Sequence, residues 1–390
     1  MFARYLPPEY SGAASQALLL AQHLRNRGHR IEMVSPAWGG HPHSYQLDGF
    51  RVTRVHISLD AVHKEFSVWR ALSAYLWRRR HQIDILHGQG AYYTQSIIGP
   101  LGRLFRKPSL VKASLWNDDL CSLTDSNIAP VHRRFLGMVD AYVAISRDLE
   151  QEFVAKGLIA EKVRRIPNGV DIERFHPRDA DAKAAAATAL GLPTDRPISL
   201  FVGVFDQRKR ISWLAEHWVE SNGFGTGGLL VAVGPTSRET YGPALRRGLE
   251  RLAAAHPERL RVHELTQDIA PFYRASDQLI LPSSNEGLPN AVLEAMACGL
   301  PTVACRVSGS SELVRDDITG ATFTLDDPQG LAVALAAVGG DRGRRLGEEA
   351  RRIVTRDYSI EGVAAKYEEL YRELYAQRQG AGMVKGREKR

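Results

Sequence analysis

What most narrows the fold of this chain is an alternation that occurs twice. Short apolar runs rich in β-branched residues, each followed by a longer stretch of helical periodicity, form one train in the first half and a second from residue 198 onward. That order belongs to parallel βαβ units, because a strand buried on both faces reads as a continuous apolar run and its crossover as a helix. In the first train Ala14, Ala17, Leu18, Ala21 and Leu24 share one helical stripe that stops near Gly28. Strand-like segments follow at 31–35, RVTRVHI (51–57), IDILHG (83–88), SLVKASL (109–115) and AYVAIS (141–146), with helices expected around 68–77, 93–105, 131–139 and 147–156. The pattern then breaks. After VRRIPNGVDIERFHP (163–177) comes an alanine-rich, charged stretch without strand pattern, and strands resume at ISLFVGV, GLLVAVG, RLRVHEL, QLILPSS and PTVACRV.

At 390 residues two cores are the expectation. The sequence therefore predicts an α/β protein of two Rossmann-like parallel-sheet domains, 1–177 and 198–358, joined by a linker at 178–197. A last helix lies within 359–376, and the polar, basic tail 377–390 is expected to be disordered. Only MFARY precedes the first loop, so the opening strand is expected to be about half the length of its partners. In open parallel sheets ligands bind beyond the carboxyl ends of the strands, which makes a cleft between the two domains the expected site.

Composition removes several classes. The apolar runs are strand-length, short of the roughly 20 residues that span a bilayer, and the start has no apolar segment of signal-peptide type, so the protein is expected inside the cell. Cys121, Cys298 and Cys305 lack CxxC spacing and read as reduced thiols rather than a metal or disulfide set. The net charge of +7 sits wholly in residues 1–177, which hold 23 Lys and Arg against 16 Asp and Glu. The clusters Arg78-Arg79-Arg80, Arg103-Arg106-Lys107 and Arg133-Arg134 suit an anionic membrane surface or a phosphorylated acceptor, or else form a solvated face. These cations alternate with core segments and match no nucleic-acid module, so no nucleic-acid partner is expected.

Chemistry concentrates in LILPSSNEGLPNAVLEAMACGLPTVA (279–304), which reads as strand, loop, helix, strand. Glu286 falls in the loop, Pro289 fits the first helical turn, and Glu294 lies in an otherwise apolar helix. Helical side chains tilt toward the N-terminus, so Glu294 can point back to the region that Glu286 borders. A carboxylate among Val292, Leu293, Ala295 and Met296 needs hydrogen-bond donors, for which ribose hydroxyls are suited. The helix start, with free N–H groups around Gly287, Leu288, Pro289, Asn290 and Ala291, suits a diphosphate. A leaving diphosphate also needs cations, and FVGVFDQRKR (201–210) places Arg208 and Lys209 beyond a strand end. Set against this, Glu294 in a structural ion pair and an exposed Glu286 are the plainer alternatives. In PPEYSGAAS (7–15), Gly12 lets the backbone pass close to a ligand before a helix begins. No G-x-G-x-x-G, Walker A, HExxH or GxSxG sequence occurs in that context, which removes dehydrogenase, NTPase, zinc-protease and esterase readings.

Taken together, PPEYSGAASQALLLAQHLRNRGH, VAISRDLEQEFVAKG, VRRIPNGVDIERFHP, the GVFDQRK loop, and EGLPNAVLEAMACGLPTVA followed by SGSSELV resemble glycosyltransferase family four, also called group one, over nearly the whole chain. The resemblance implies a GT-B fold, a retaining reaction without metal or other cofactor, and a nucleotide-sugar donor bound by the second domain. It implies that Glu286 contacts the transferred sugar and that Lys209, with Arg208, holds the diphosphate. Glu294 would take the ribose, and residues 287–291, Gly203 and Leu265 would complete the donor site. On the acceptor side Gly12 and Ala13 would line the cleft, Asn168 would lie near the hinge, and the last helix would cross back to the first domain. The acceptor would be a glycan, a lipid-linked sugar or a small molecule. Two departures stand out. The phosphate loop carries Gly203-Val204 and Lys209-Arg210 where relatives have Gly-Arg and Lys-Gly, so Arg208 or Arg210 replaces one cation. Where many relatives have a histidine near the reacting carbon, this chain reads KASLWNDDL (112–120), leaving Lys112, Asp118, Asp119 or the separate His87 as candidates. A nucleotide-sugar epimerase, a phosphorylase and a silent nucleotide-sugar-binding protein are the rival readings.

Overall fold

The computed structural model describes the chain except residues 8, 10, 38–43, 48, 58–63, 125–126, 178 and 388–390. It divides into two compact units, one made of 1–169 with 360–390 and the other of 170–359.

The first unit is built on an eight-stranded sheet. Its strands are β1 (Phe2–Ala3), β2 (Met33–Pro36), β3 (Ser44–Leu47), β4 (Phe50–Val55), β5 (Leu86–Gln89), β6 (Ser109–Lys112), β7 (Ala141–Ala144) and β8 (Val163–Arg165). Their order is β3-β4-β2-β1-β5-β6-β7-β8, and every neighbouring pair is parallel except the β3–β4 hairpin. Of the expected apolar stripe of helix Gly12–Asn26, Ala14, Ala17 and Ala21 pack with Met33, Phe50 and Val52, while Leu18 is only partly buried. Leu24, with Leu20 from outside that stripe, joins Leu110 and Val143 of the sheet and Ile360, Tyr367 and Tyr371 of the last helix. The opening strand is short, and it stands in the middle of the sheet between β2 and β5. A cavity of about 580 Å³ lies alongside it at the amino edge, lined by Met1, Ile31, Glu32, Tyr75, Ile85 and Tyr371 among others.

The second unit carries six strands, all parallel, in the order β11-β10-β9-β12-β13-β14. They are β9 (Ile198–Val202), β10 (Leu229–Val233), β11 (Leu260–His263), β12 (Gln278–Leu281), β13 (Thr302–Cys305) and β14 (Gly320–Phe323). Trp218, Phe201, Phe205, Leu230, Ile280 and Val303 form its core.

Three expectations change. The first domain ends at Gly169, eight residues before the expected boundary at 177. The stretch 178–197 is part of the second unit and links nothing: helix Ala180–Ala189 is capped by Asp179, and Lys183 pairs with Asp277, which also accepts from the Ile198 amide at 2.8 Å. Its alanines leave no bulky stripe to mark a packed helix, although Ala187 is buried. The last helix runs Ile360–Arg387, beyond the point where disorder was expected, while 388–390 lie outside the described residues.

Candidate functional site

In the second unit the chain leaves β9 at Val202 and folds into a loop that presents two cations. Asp206 Oδ1 accepts from the Lys209 amide at 2.7 Å, and the Ser284 amide donates to the Arg208 carbonyl at 2.9 Å, which ties this loop to the one after β12. The tie decides what Lys209 and Arg208 reach. Lys209 Nζ lies 2.5 Å from Glu286 Oε1; Arg208 Nη1 lies 3.4 Å from Glu286 Oε2 and donates to the Asn285 carbonyl at 2.7 Å. Arg210 leaves the group, pairing instead with Asp326 and standing over the Trp213 ring, which leaves Arg208 beside Lys209 at Glu286.

Glu286 is 5% exposed, and burial alone would push its carboxyl up. The charges of Lys209 and Arg208 and the Lys209 hydrogen bond outweigh that and hold it below the usual carboxylate range. Burial lowers the Lys209 ammonium, with Glu286 opposing the shift and Arg208 adding to it. The Glu286 loop is braced from behind: Ser308 Oγ donates to the Glu286 carbonyl at 2.9 Å, and Gly309, at φ +69°, packs its α-carbon against the Gly287 carbonyl.

Pro289 is the N-cap of helix Asn290–Ala297, one position before the first turn where the sequence placed it, because its ψ of 120° is extended. No acidic residue occupies the first turn, which leaves the dipole end open to an anion. Within the helix Glu294 meets a different environment. Tyr273 Oη donates to Glu294 Oε2 at 2.6 Å, while Oε1 accepts no hydrogen bond among the described residues. Burial pushes this carboxyl up to about 7, against the pull of the Tyr273 bond and the Arg174 charge. Two glutamates eight residues apart thus meet opposite influences: neighbouring cations hold the Glu286 carboxyl down, and burial pushes the Glu294 carboxyl up. Gly203 donates its amide to the Val233 carbonyl at 3.1 Å, and Leu265 lies half-buried just past β11.

In the first unit Gly12 and Ala13 open helix Gly12–Asn26, and the loop before it is anchored by a buried Arg54–Glu9 pair at 2.7 Å. Lys112 ends β6 and Asp119 lies in the loop beyond it, 3% and 0% exposed. Burial lowers Lys112 to about 8 and raises Asp119 to about 6. Tyr92 Oη donates to Asp118 Oδ2 at 2.5 Å, and Ser114 donates its amide to Asp119 at 2.6 Å. His87, on the strand next to Lys112, feels that charge but makes its contacts with the last helix. Its Nδ1 meets Tyr371 Oη at 2.7 Å, its ring stacks on Tyr367, and burial holds it well below 6.5, a histidine fastened to the last helix by packing. Asn168 is buried beside Gly169, whose carbonyl and amide bond Gln16 at 2.9 and 3.1 Å.

Sequence reasoning missed Tyr273, Asp206 and the bracing role of Ser308 and Gly309. Tyr273 reads as a core aromatic of a short helix; the SGSS run after β13 is the one signal that pointed to the brace.

Two parallel-sheet α/β units, with a cation-bound glutamate and an uncapped helix start at the carboxyl edge of the second sheet, define a GT-B protein. Family comparison agrees: the model for glycosyltransferase family 4 matches residues 10–174 and that for glycosyl transferases group 1 matches 196–341. The chain belongs to this family of glycosyltransferases. A D-inositol 3-phosphate glycosyltransferase of Xylanimonas cellulosilytica is 34% identical over 244 residues, 60% of this chain and 56% of that one. The chain spans about half the length of the curated relatives it matches. Among solved structures, sucrose-phosphate synthase from Thermosynechococcus elongatus superposes with a TM-score of 0.78 at 22% identity, over 97% of this chain and all of that one. Anabaena HepE in complex with UDP-glucose gives 0.76 at 17%, over 95% and 99%.

Proposed function

We propose that this chain transfers a glycosyl group from a nucleoside-diphosphate sugar to an acceptor hydroxyl with retention of configuration. The observation that carries the reading is the Lys209–Glu286–Arg208 cluster at the carboxyl edge of the second sheet, beside the start of helix Asn290–Ala297. Its support from relatives is that the matched proteins carry glycosyltransferase names and that one structural neighbour holds UDP-glucose.

In this reading the diphosphate takes the remaining N–H donors of Lys209 and those of Arg208, and lies against the open helix start, where negative charge developing on the leaving oxygen is stabilised. That charge stabilisation is assigned to side chains and backbone, so no metal is required. Glu286, kept ionised by the two cations, accepts from the sugar hydroxyls and fixes the ring. Glu294 accepts from the ribose. The leaving phosphate oxygen itself takes the acceptor proton on the face it departs from, so no protein nucleophile is needed. Acceptor recognition falls to the first unit, with Gly12, Ala13, Lys112, Asp118 and Asp119 as its groups. The acceptor class is a glycan, a lipid-linked sugar or a small molecule, at the inner face of the cell membrane.

The test is a thermal-shift screen of nucleoside diphosphates and their sugars. A true donor at 100 times its dissociation constant adds about 2.7 kcal/mol of stability, and product formation then requires an acceptor. Failure of every nucleotide to stabilise the chain would sink the proposal; conversion of a donor to its epimer without acceptor would replace it.

A pH dependence follows from Glu294. A carboxyl whose pKa is raised by folding keeps its proton where the unfolded chain has lost it, so its stabilising contribution is full below the unfolded value of 4.5 and is lost as pH rises through about 7. Ribose hydroxyls favour the ionised form. Nucleotide binding is therefore expected to release a proton and to tighten between about pH 6 and pH 8, and Glu294→Gln to flatten that slope. Calorimetry in buffers of different ionisation enthalpy reads both; a wild-type affinity independent of pH would remove Glu294 from the ribose.

A further inference from the structure

The opening segment of the second unit, VDIERFHP (170–177), has no part in the donor chemistry above, yet its contacts lead to Glu294. Asp171 shapes it: Oδ1 accepts from the amides of Glu173 and Arg174 at 3.0 and 2.9 Å, and the Phe175 amide donates back to the Asp171 carbonyl at 2.9 Å. That turn sends neighbouring side chains to different elements. Arg174 donates to the Gln267 carbonyl at 3.0 Å and to Asp268 Oδ1 at 3.1 Å, in the loop after β11. Phe175 is buried and meets the Tyr273 ring edge to face, 5.6 Å between centroids.

One guanidinium ties this segment to the helix that carries Glu294. Arg351, from helix Gly340–Asp357, donates through Nη1 to the Phe175 carbonyl at 2.9 Å and to the Ala297 carbonyl at 2.8 Å, and through Nη2 to the Ile172 carbonyl at 3.2 Å. Ala297 closes helix Asn290–Ala297, so the same cation meets the negative end of that helix's dipole. Phe175 and the Glu294 helix are thereby held in register, and Tyr273 bridges them. Its side chain is 0% exposed, it stands in helix Ala270–Ala275, and its hydroxyl reaches Glu294 Oε2 at 2.6 Å. A phenol is a neutral donor. It fixes one carboxylate oxygen without placing a cation there, and Oε1 stays available to a hydroxyl from a ligand. Glu286, by contrast, is held by two cations.

We propose that Tyr273 and Phe175 are positioning residues for donor recognition: the Arg351-held segment braces the Tyr273 ring, and the Tyr273 hydroxyl turns Glu294 so that Oε1 meets the ribose hydroxyls. The inference rests on the reading of Glu294 as the ribose acceptor and adds what makes that carboxylate selective. With Oε2 held, the carboxylate cannot swing to another partner, so a nucleotide lacking the hydroxyls leaves a desolvated acceptor unpaired. The groups that act on the carboxylate are the Tyr273 phenol and the charge of Arg174, itself paired with Asp268. Because the Tyr273 bond favours the ionised carboxyl, its removal raises the pH at which ribose binding strengthens.

The experiment is calorimetric titration of the full chain with UDP, ADP, GDP and CDP, each beside its 2′,3′-dideoxy analogue, from about pH 6 to about pH 9. The wild type is expected to prefer the ribose form of its nucleotide by about tenfold or more, the scale of one desolvated acceptor left unpaired. Tyr273→Phe is expected to lose most of that preference, to keep its affinity for the dideoxy form within about twofold, and to move the pH dependence upward. Phe175→Leu is expected to lose less in the same direction, and Phe175→Leu combined with Tyr273→Phe to lose no more than Tyr273→Phe by itself. Thermal melts check the fold of each variant; Tyr273→Phe removes a single oxygen, and Phe175→Leu keeps an apolar side chain in place. A wild type indifferent to the ribose hydroxyls, or one that binds none of the four nucleotides, would overturn the Glu294 reading and this inference with it. A preference abolished by Glu294→Gln but kept in Tyr273→Phe, with an unmoved pH dependence, would leave the Glu294 reading standing and overturn the positioning role. Equal losses for ribose and dideoxy forms in Tyr273→Phe would overturn it too, since a residue that only supports the fold weakens both alike.

Discussion

Lys209→Ala is expected to lose turnover by about 10²-fold or more, the scale of removing one electrostatic stabiliser, and to lose stability with it. The two losses have separate causes. On the proposed mechanism, turnover falls because the leaving diphosphate would lose the Lys209 ammonium. Stability falls because Glu286, 5% exposed, would keep only Arg208 at 3.4 Å as a compensating charge; stripping one partner from a buried pair costs about 3–5 kcal/mol, and the remaining arginine places this case at the low end. Lys209→Ala combined with Glu286→Gln is expected to recover most of the stability and none of the activity, because the amide needs no counter-ion yet cannot replace the carboxylate on the sugar. Urea melts and steady-state kinetics on the two single variants and the double variant close the cycle. Near wild-type turnover in Lys209→Ala would refute the role given to it.

Gly309→Ala is expected to damage the same site from outside it. A methyl group there would stand 2.3 Å from the Gly287 carbonyl oxygen and 2.5 Å from its carbon, at a backbone φ of +69°. Backbone cannot yield as a flexible side chain does, so the loop carrying Glu286, Gly287 and Leu288 has to move. Strain of this kind costs about 1–3 kcal/mol, and nucleotide affinity is expected to drop more than about tenfold (1.4 kcal/mol per decade) as the helix start shifts. Gly191→Ala is the matched control: its φ is +65° but nothing lies within 4 Å of the added carbon. It is expected to show the backbone strain and keep its affinity. Equal affinity losses in both variants would place the effect in global destabilisation rather than in the loop.

Much of the architecture could be read from the chain because parallel strands buried on both faces write themselves as apolar runs: IDILHG, AYVAIS, ISLFV and LLVAV all became central strands. The elements that escaped are those whose surroundings do not demand that pattern. β3 (SYQL) is an exposed hairpin edge, β8 (VRR) an edge strand of three residues, and β14 (GATF) carries a glycine whose added methyl would collide with the Thr302 carbonyl. The site divides in the same way. Glu286, Lys209 and Glu294 stood out as candidates because a charge in an apolar strand-loop-helix setting needs a reason, and the structure pairs the first two. Tyr273 was not, since an aromatic in a short helix needs none, and its hydroxyl acquires meaning only when folding carries it to Glu294, 21 positions further along. His87, a candidate with a structural role as its alternative, sits inside β5, where the distant Tyr367 and Tyr371 cover it in a way no local pattern announces.

The second unit is one uninterrupted length of chain, and its two ends are stitched together: Val170 pairs with Ser359, and the Val170 amide donates to the Tyr358 carbonyl at 2.9 Å. On the other side of each crossing, Gly169 lies under Ile360. The molecule is thus built as a guest lodged in a host by two adjacent peptide bonds. Cutting there yields 170–359 as a single polypeptide with neighbouring termini and leaves a host that a short tether from 169 to 360 can rejoin, so the two units become separable at the level of the gene.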